Sequence, residues 1–362
     1  MRFATVLDRD ANEARPVFEL PGGRRIELRE LFRPGAVTTK AHSTLVGDIS
    51  ALDDQLAEMP LYFTDLARTV EFLDDVIDAI RQWARERAEH PLAGDESASR
   101  IDHLPFLPPV PVVRAFREFD AFEQHARTWA TRHDLTLSRS WYESPSFSFA
   151  SATSLIGHDT PAHRPGNSNE LDYGLQIAVI IGRGGRDISA ADAWRHVAGF
   201  TIVNSFTARD IERREVSAGH PIGRSKSRDF ATAVGPYLVP LSSLRDRIDI
   251  DDKLHLAMRA VVNGIELSRS DASTMHFTWP QIVENASRDA ELYPGDLLSS
   301  GVCATGSILD LGGQNAAPWL KEGNVVELEV ERLGILRTPI AVSVGSAPQS
   351  QEIARTASPA LG

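Results

Sequence analysis

Two periodicities divide the chain. Between residues 52 and 90, Leu66, Val70, Leu73, Ile77, Ile80 and Ala84 recur every three or four positions. That spacing puts them on one stripe and predicts a long amphipathic helix, ended by His90-Pro91 because proline disfavours helix in the residue before it. A second, shorter helix is predicted over 118–133, EFDAFEQHARTWATRH. From about residue 140 the pattern becomes β-like. SFSFAS alternates, and LQIAVIIG (175–182) is a continuous apolar run, as expected of a strand buried on both faces. Further strands are expected at 197–206, 234–240, 254–264, 296–304 and 324–334. YPGDLL and KEGNVVEL carry turn chemistry just before a strand. Near the N-terminus, ARPVFEL and RRIEL flank a PGG turn and read as a small hairpin.

This pattern predicts an α+β protein. A small N-terminal α+β unit with the long helix is expected over 1–104. A mostly β unit follows over 105–345, entered through the proline-rich connector FLPPVPVVRAF, and a frayed tail over 346–362. Composition then narrows the field. The 362 residues carry 38 basic and 50 acidic side chains, a net charge of −12, which disfavours a broad nucleic-acid binder. The single cysteine, Cys303, allows no disulfide framework and no cysteine-based zinc site within one chain. No apolar run has the length of a membrane span and the N-terminus does not read as a signal peptide, so a cytoplasmic location and no membrane partner are expected. Only four basic residues are lysines, Lys40, Lys226, Lys253 and Lys321.

Six segments carry chemistry in a telling order: LDYGLQIAVIIGRGGRDIS, AGFTIVNSFTARDIERRE, SRDFATAVGPYLV, VNGIELSRSD, LYPGDLLSSG and LKEGNVVELEVERLG. Over about residues 105–340 the chain resembles the fumarylacetoacetate hydrolase superfamily. The resemblance implies a mixed β-roll, usually a homodimer. It also implies a site in which carboxylates hold Mg²⁺ or Ca²⁺, and the cation chelates two oxygens of a 1,3-dicarbonyl or 2-oxo acid. Hard cations want several charged oxygen ligands, and an E-x-E pair on a strand supplies two on one side. Here the matching positions are Gly174 and Gln176. A third carboxylate position is Ser205, and only the fourth, Glu118, keeps its charge. The donors left are too few for Mg²⁺, so neither metal nor other cofactor is expected. His158, His163 and His220 match no metal-binding spacing.

Other positions keep the family's chemistry. His125 matches the histidine that activates water, and Asp310, in GSILDL, holds the place of its glutamate partner; a carboxylate fixes the imidazole tautomer and stabilises the imidazolium. Arg228 holds the place of the substrate-polarising lysine. Lys226, two residues earlier, faces the same way if the segment is extended. Val302 replaces a threonine. Trp141, Tyr142, Phe147 and Phe149 are expected to pack in the core, with Tyr142 also a candidate to line an apolar pocket.

The function expected from these residues is enol or enolate chemistry without a cation on a small molecule. His125 and Asp310 form the base dyad and Arg228 and Lys226 supply positive charge, with Glu118, Tyr142, Gln176, Ser205 and Val302 around the substrate. Cleavage of a C–C bond, by hydrolysis or decarboxylation, is the leading reaction. The alternatives are a tautomerase or cyclase of a specialised biosynthetic pathway, a non-catalytic binding paralogue, and a metal-dependent hydrolase with unusual ligands.

Overall fold

A computed structural model describes residues 2–19, 23–27, 101–219 and 225–342. The predicted helix at 52–90, the tail over 346–362 and His220 lie outside the described residues. The fold is α+β and dominated by sheet.

Among the described residues, one sheet has eleven strands. Its main path runs β3 (Arg25–Glu27), β2 (Glu13–Glu19), β1 (Arg2–Asp8), β14 (Thr232–Pro240), β12 (Val197–Ser205), β10 (Leu175–Ile181), β18 (Leu297–Ser299), β5 (Phe116–Phe119) and β6 (Phe147–Phe149). Two short strands flank it: β4 (Phe106–Leu107) on β1 and β7 (Leu155–Ile156) on β14. The N-terminal hairpin therefore joins the strands of the second half, with Phe3 paired to Leu238. A second sheet of five strands runs β16 (Ile265–Asp271), β15 (Ala257–Val262), β19 (Val325–Val330), β20 (Gly334–Val342) and β8 (Ala162–Arg164). Two separate two-stranded sheets are also present among the described residues: β9 (Leu171–Asp172) with β13 (Thr207–Ala208), and β11 (Gly185–Arg186) with β17 (Glu291–Leu292).

The strand at 175–181 is buried along its whole length, for the reason its sequence suggests. Leu175, Ile177, Val179 and Ile181 face a core shared with Met258, Val326, Leu328 and Leu336 of the second sheet. Ala178 and Ile180 point the other way, into a core with Phe3, Phe116, Val203 and Val234.

The helix expected over 118–133 is shorter. Phe116–Phe119 is strand, paired in parallel with β18, and helix α1 covers Glu123–Arg132. The apolar spacing of Phe119 and Phe122 mimics a helical stripe, but the partner strand claims the first of them. Two helices carry no clear mark in the hydrophobic pattern, α2 (Arg209–Ser217) and α3 (Trp279–Ser287). The first is mostly charged and offers no stripe. The second is announced only by its capping box, in which Thr278 and Gln281 exchange side-chain and backbone hydrogen bonds, and by Pro280 in its first turn. A short helix, α4, covers Ile308–Leu311. Among the described residues no helix is long and apolar enough to cross a membrane.

Candidate active site

Strand periodicity builds one half of the site. On the face of the large sheet that carries Phe116, Ala178, Val203 and Val234, the next residues two positions on are Glu118, Gln176, Ser205 and Thr232. The register confirms that they share a face, with Gln176 opposite Val203 and Ser205 opposite Thr232. The apolar row thus ends in a polar one, and all four of those side chains are buried.

The positive charge at that end comes from Arg228. Its Nη1 donates to Glu118 Oε1 at 2.6 Å and lies 3.4 Å from Ser205 Oγ. Gln176 Nε2 donates to the same Glu118 oxygen, also at 2.6 Å. The segment bearing Arg228 is a turn rather than an extended strand, since the N–H groups of Arg228 and Asp229 both donate to Ser225 O. Residues 226 and 228 therefore do not face the same way. Lys226 is a correction to the expected site: its ammonium lies at the surface and donates to Asp229 Oδ2 at 2.7 Å.

The turn is held from α2. Glu215 accepts from Ser225 Oγ at 2.7 Å, Ser227 Oγ at 2.6 Å and Ser227 N at 3.2 Å. Burial pushes the Glu215 acid up, but these donors outweigh it and hold the carboxyl below its usual range.

The other half is the dyad. His125, on the buried face of α1, has Nδ1 2.9 Å and 3.0 Å from the two oxygens of Asp310 in α4. Ser307, the N-cap of α4, donates to Asp310 Oδ2 at 2.6 Å and accepts from Asp310 N. Burial pulls the His125 pKa down, yet the adjacent carboxylate of Asp310 wins and raises it above the ordinary imidazole value. With Nδ1 committed to Asp310, Nε2 is left for a reacting proton.

A buried network, missed in the sequence, ties the halves together. Asp172 accepts from the N–H groups of Ile308 and Leu309 at 2.7 and 3.1 Å, holding the start of α4. Arg209 donates to Asp172 at 2.9 Å through Nε and to Glu212 at 2.8 Å through Nη1. Glu212 in turn feels Arg209 first and then Arg228, which together overcome burial and lower its pKa. The signal available in sequence was the i, i+3 spacing of Arg209 and Glu212 at the start of a charged helix.

Two further expectations are corrected. The Tyr142 hydroxyl donates to Glu123 Oε1 at 2.7 Å and accepts from Arg127 Nη2 at 2.6 Å, on the outward side of α1, so it does not line the site. Phe149 is 64% exposed on β6 and packs under the Arg117 guanidinium rather than in the core. Val302 is buried against the backbone of residue 174: a Cβ there would lie 3.0 Å from Val302 Cγ2 and 2.8 Å from Ser205 O.

The donor set does not fit a divalent cation. Where the resemblance implies carboxylates stand a hydrogen, an amide and a hydroxyl, and the oxygen of Glu118 that faces them is already held by a guanidinium and an amide N–H. Among the described residues no three His, Cys, Asp or Glu side chains converge as a cation site requires.

The family model for the fumarylacetoacetate (FAA) hydrolase C-terminal domain matches residues 114–341. The chain is 33% identical over 200 residues to oxaloacetate tautomerase YisK of Bacillus subtilis, a match covering 55% of this chain and 62% of that protein. It is 32% identical over 189 residues to 2,4-didehydro-3-deoxy-L-rhamnonate hydrolase of Sphingomonas sp. (strain SKA58), covering 52% of this chain and 62% of that one. The chain thus spans somewhat less than two thirds of these two relatives. Among solved structures, a fumarylacetoacetate hydrolase from Exiguobacterium antarcticum aligns with a TM-score of 0.61 at 19% identity, over 95% of this chain and 100% of that one. A fumarylpyruvate hydrolase from Pseudomonas aeruginosa, in complex with Mn²⁺ and pyruvate, aligns with a TM-score of 0.52 at 23% identity, over 66% and 92%. At such identities the likeness is one of fold.

Proposed function

We propose, from the premise that this chain belongs to the fumarylacetoacetate hydrolase family, that it is an enzyme of enol chemistry. Its substrate is a small 1,3-dicarbonyl or 2-oxo acid, its base is His125, and it works without a divalent cation. The observation that carries this reading is the buried His125–Asp310 pair, backed by Ser307. Asp310 holds the imidazole with Nε2 outward and stabilises the charge it gains on taking a proton. In C–C cleavage His125 takes a proton from water, and the resulting hydroxide adds to a carbonyl carbon. The C–C bond then breaks, its electrons pass into an enolate, and the imidazolium returns the proton to the enolate carbon. Arg228 supports the anion, a contribution of about 3–4 kcal/mol for one well-placed donor. The missing carboxylates at Gly174, Gln176 and Ser205 support the cation-free part of the reading.

The similarity to an oxaloacetate tautomerase favours a second reading, in which His125 moves a proton between enol and keto forms and no bond between carbons breaks. Both are tested by following ultraviolet enol absorbance and products with oxaloacetate and an acylpyruvate panel, in chelator-treated buffer. The wild type is expected to turn over at least one compound and His125→Ala to lose that turnover. Product analysis separates cleavage from tautomerisation. Equal rates for the two proteins would remove His125 from the mechanism.

A further inference from the structure

We infer that Arg228 replaces the cation as a two-pronged donor, gripping a planar pair of substrate oxygens with the edge of its guanidinium turned away from Glu118. The inference rests on the family reading above and adds to it the ligand geometry of the site.

Three observations lead there. First, the space of a cation site is closed. A Cβ at residue 174 would lie 2.8 Å from the backbone oxygen of Ser205 and 3.0 Å from Val302, so no carboxylate side chain fits there without backbone movement. Glu118 Oε1 already takes hydrogen bonds of 2.6 Å from Arg228 and from Gln176, and a metal ion at that oxygen would face two N–H donors.

Second, the guanidinium is only partly used. Nη1 serves Glu118, while Nε is buried and has no partner. Nε and Nη2 form one edge of the planar fork, with two parallel N–H groups that match two coplanar oxygens.

Third, a buried acceptor belongs to a side chain that shares Glu118 with Arg228. Gln176 is fully buried, its Nε2 shares Glu118 with Arg228, and its Oε1 has no partner. An unpaired buried donor and acceptor are costly to keep unless something bound satisfies them. The matching ligand presents an anionic oxygen pair to Arg228 and a hydroxyl to Gln176, which is what the enol of a 2-oxo acid carries. Chelation by two metal–oxygen bonds is thereby exchanged for two charge-assisted hydrogen bonds. Glu118, no longer a ligand, pins the fork.

The test uses oxalate, a planar two-carboxylate anion, as probe. Binding is measured by titration calorimetry on chelator-treated full-length protein, with and without added Mn²⁺, alongside metal analysis after Mn²⁺ loading and gel filtration. The wild type is expected to bind oxalate equally in both buffers and to retain no stoichiometric Mn²⁺. Arg228→Lys keeps the charge but not the fork and is expected to bind oxalate about tenfold or more weakly, the loss of one charge-assisted hydrogen bond. The double variant Glu118→Gln/Arg228→Met leaves no unpaired buried charge and is expected to fold and to bind no oxalate. Stoichiometric Mn²⁺, oxalate binding only with Mn²⁺, Arg228→Lys affinity equal to wild type, or no oxalate binding in either buffer would each overturn the inference. Turnover lost in His125→Ala would leave the reading of the dyad standing in every one of those cases.

Discussion

Replacing Arg228 by Met should destabilise the protein by about 3–5 kcal/mol, the range for removing one partner of a buried ion pair. The two side chains are 2.6 Å apart and only 8% and 2% exposed. At an effective dielectric of about 20 the attraction over 2.6 Å is roughly 6 kcal/mol, and desolvation of both ions offsets several kcal/mol of it. The pair therefore contributes little net stability, while breaking it strands the Glu118 carboxylate away from water. Gln176 still donates to that carboxylate, but an amide does not neutralise it. The double variant Glu118→Gln/Arg228→Met removes both charges and should lie within about 1–2 kcal/mol of wild type. Urea unfolding of the wild type, both single variants and the double variant gives the coupling energy directly. An Arg228→Met cost below about 1 kcal/mol, or a double variant as unstable as the sum of the singles, would refute the claim that the pair is a dry, mutually compensating unit.

Four other perturbations follow from the same geometry. Asp310→Asn removes the charge that raises the His125 pKa and leaves burial to lower it, so the rising limb of kcat/KM against pH should move to lower pH, with a lower plateau; an unmoved limb would mean the dyad is not what titrates. The folded-state pKa of His125 is raised, so its contribution to stability is complete below the ordinary imidazole value and is lost as pH rises through the folded one. Thermal melts should therefore show the wild type losing its advantage over His125→Ala toward alkaline pH. Gly174→Ala places a Cβ 2.8 Å from a backbone oxygen and should cost about 1–3 kcal/mol in urea unfolding, whereas full wild-type stability would show that the strands can part there. Glu215→Ala frees Ser225 and Ser227, and should raise KM more than it lowers kcat because the turn bearing Arg228 loses its anchor; an unchanged KM would show that the turn holds itself.

Much of this site was legible because it depends on local order. The run 175–181 is apolar on both faces because it lies between two cores, and that same run anchors the register that puts Gln176 and Gly174 at the expected ligand positions. His125 and Asp310 are 185 positions apart, and no spacing rule joins them; the family resemblance paired them, and the geometry supplies the 2.9 Å contact. Lys226 was misplaced because an extended segment was assumed where Ser225 closes a turn. Tyr142 was misplaced because neighbourhood in sequence says nothing about which side of α1 a ring will find a partner.

The amino-acid order by itself determined the class of fold and the course of the buried strands, while the family resemblance supplied the pairing of His125 with Asp310 and the three positions that lack a carboxylate. Strand alternation and residue chemistry are local properties, and they survive without coordinates. Only the tertiary structure decided what became of the remaining carboxylate. Glu118 and Arg228 lie 110 positions apart, and their contact exists because parallel pairing of β5 with β18 and the turn held by Glu215 bring two buried charges to one sheet end. A buried carboxylate must find a counter-charge, and which one it finds is set by packing rather than by sequence distance.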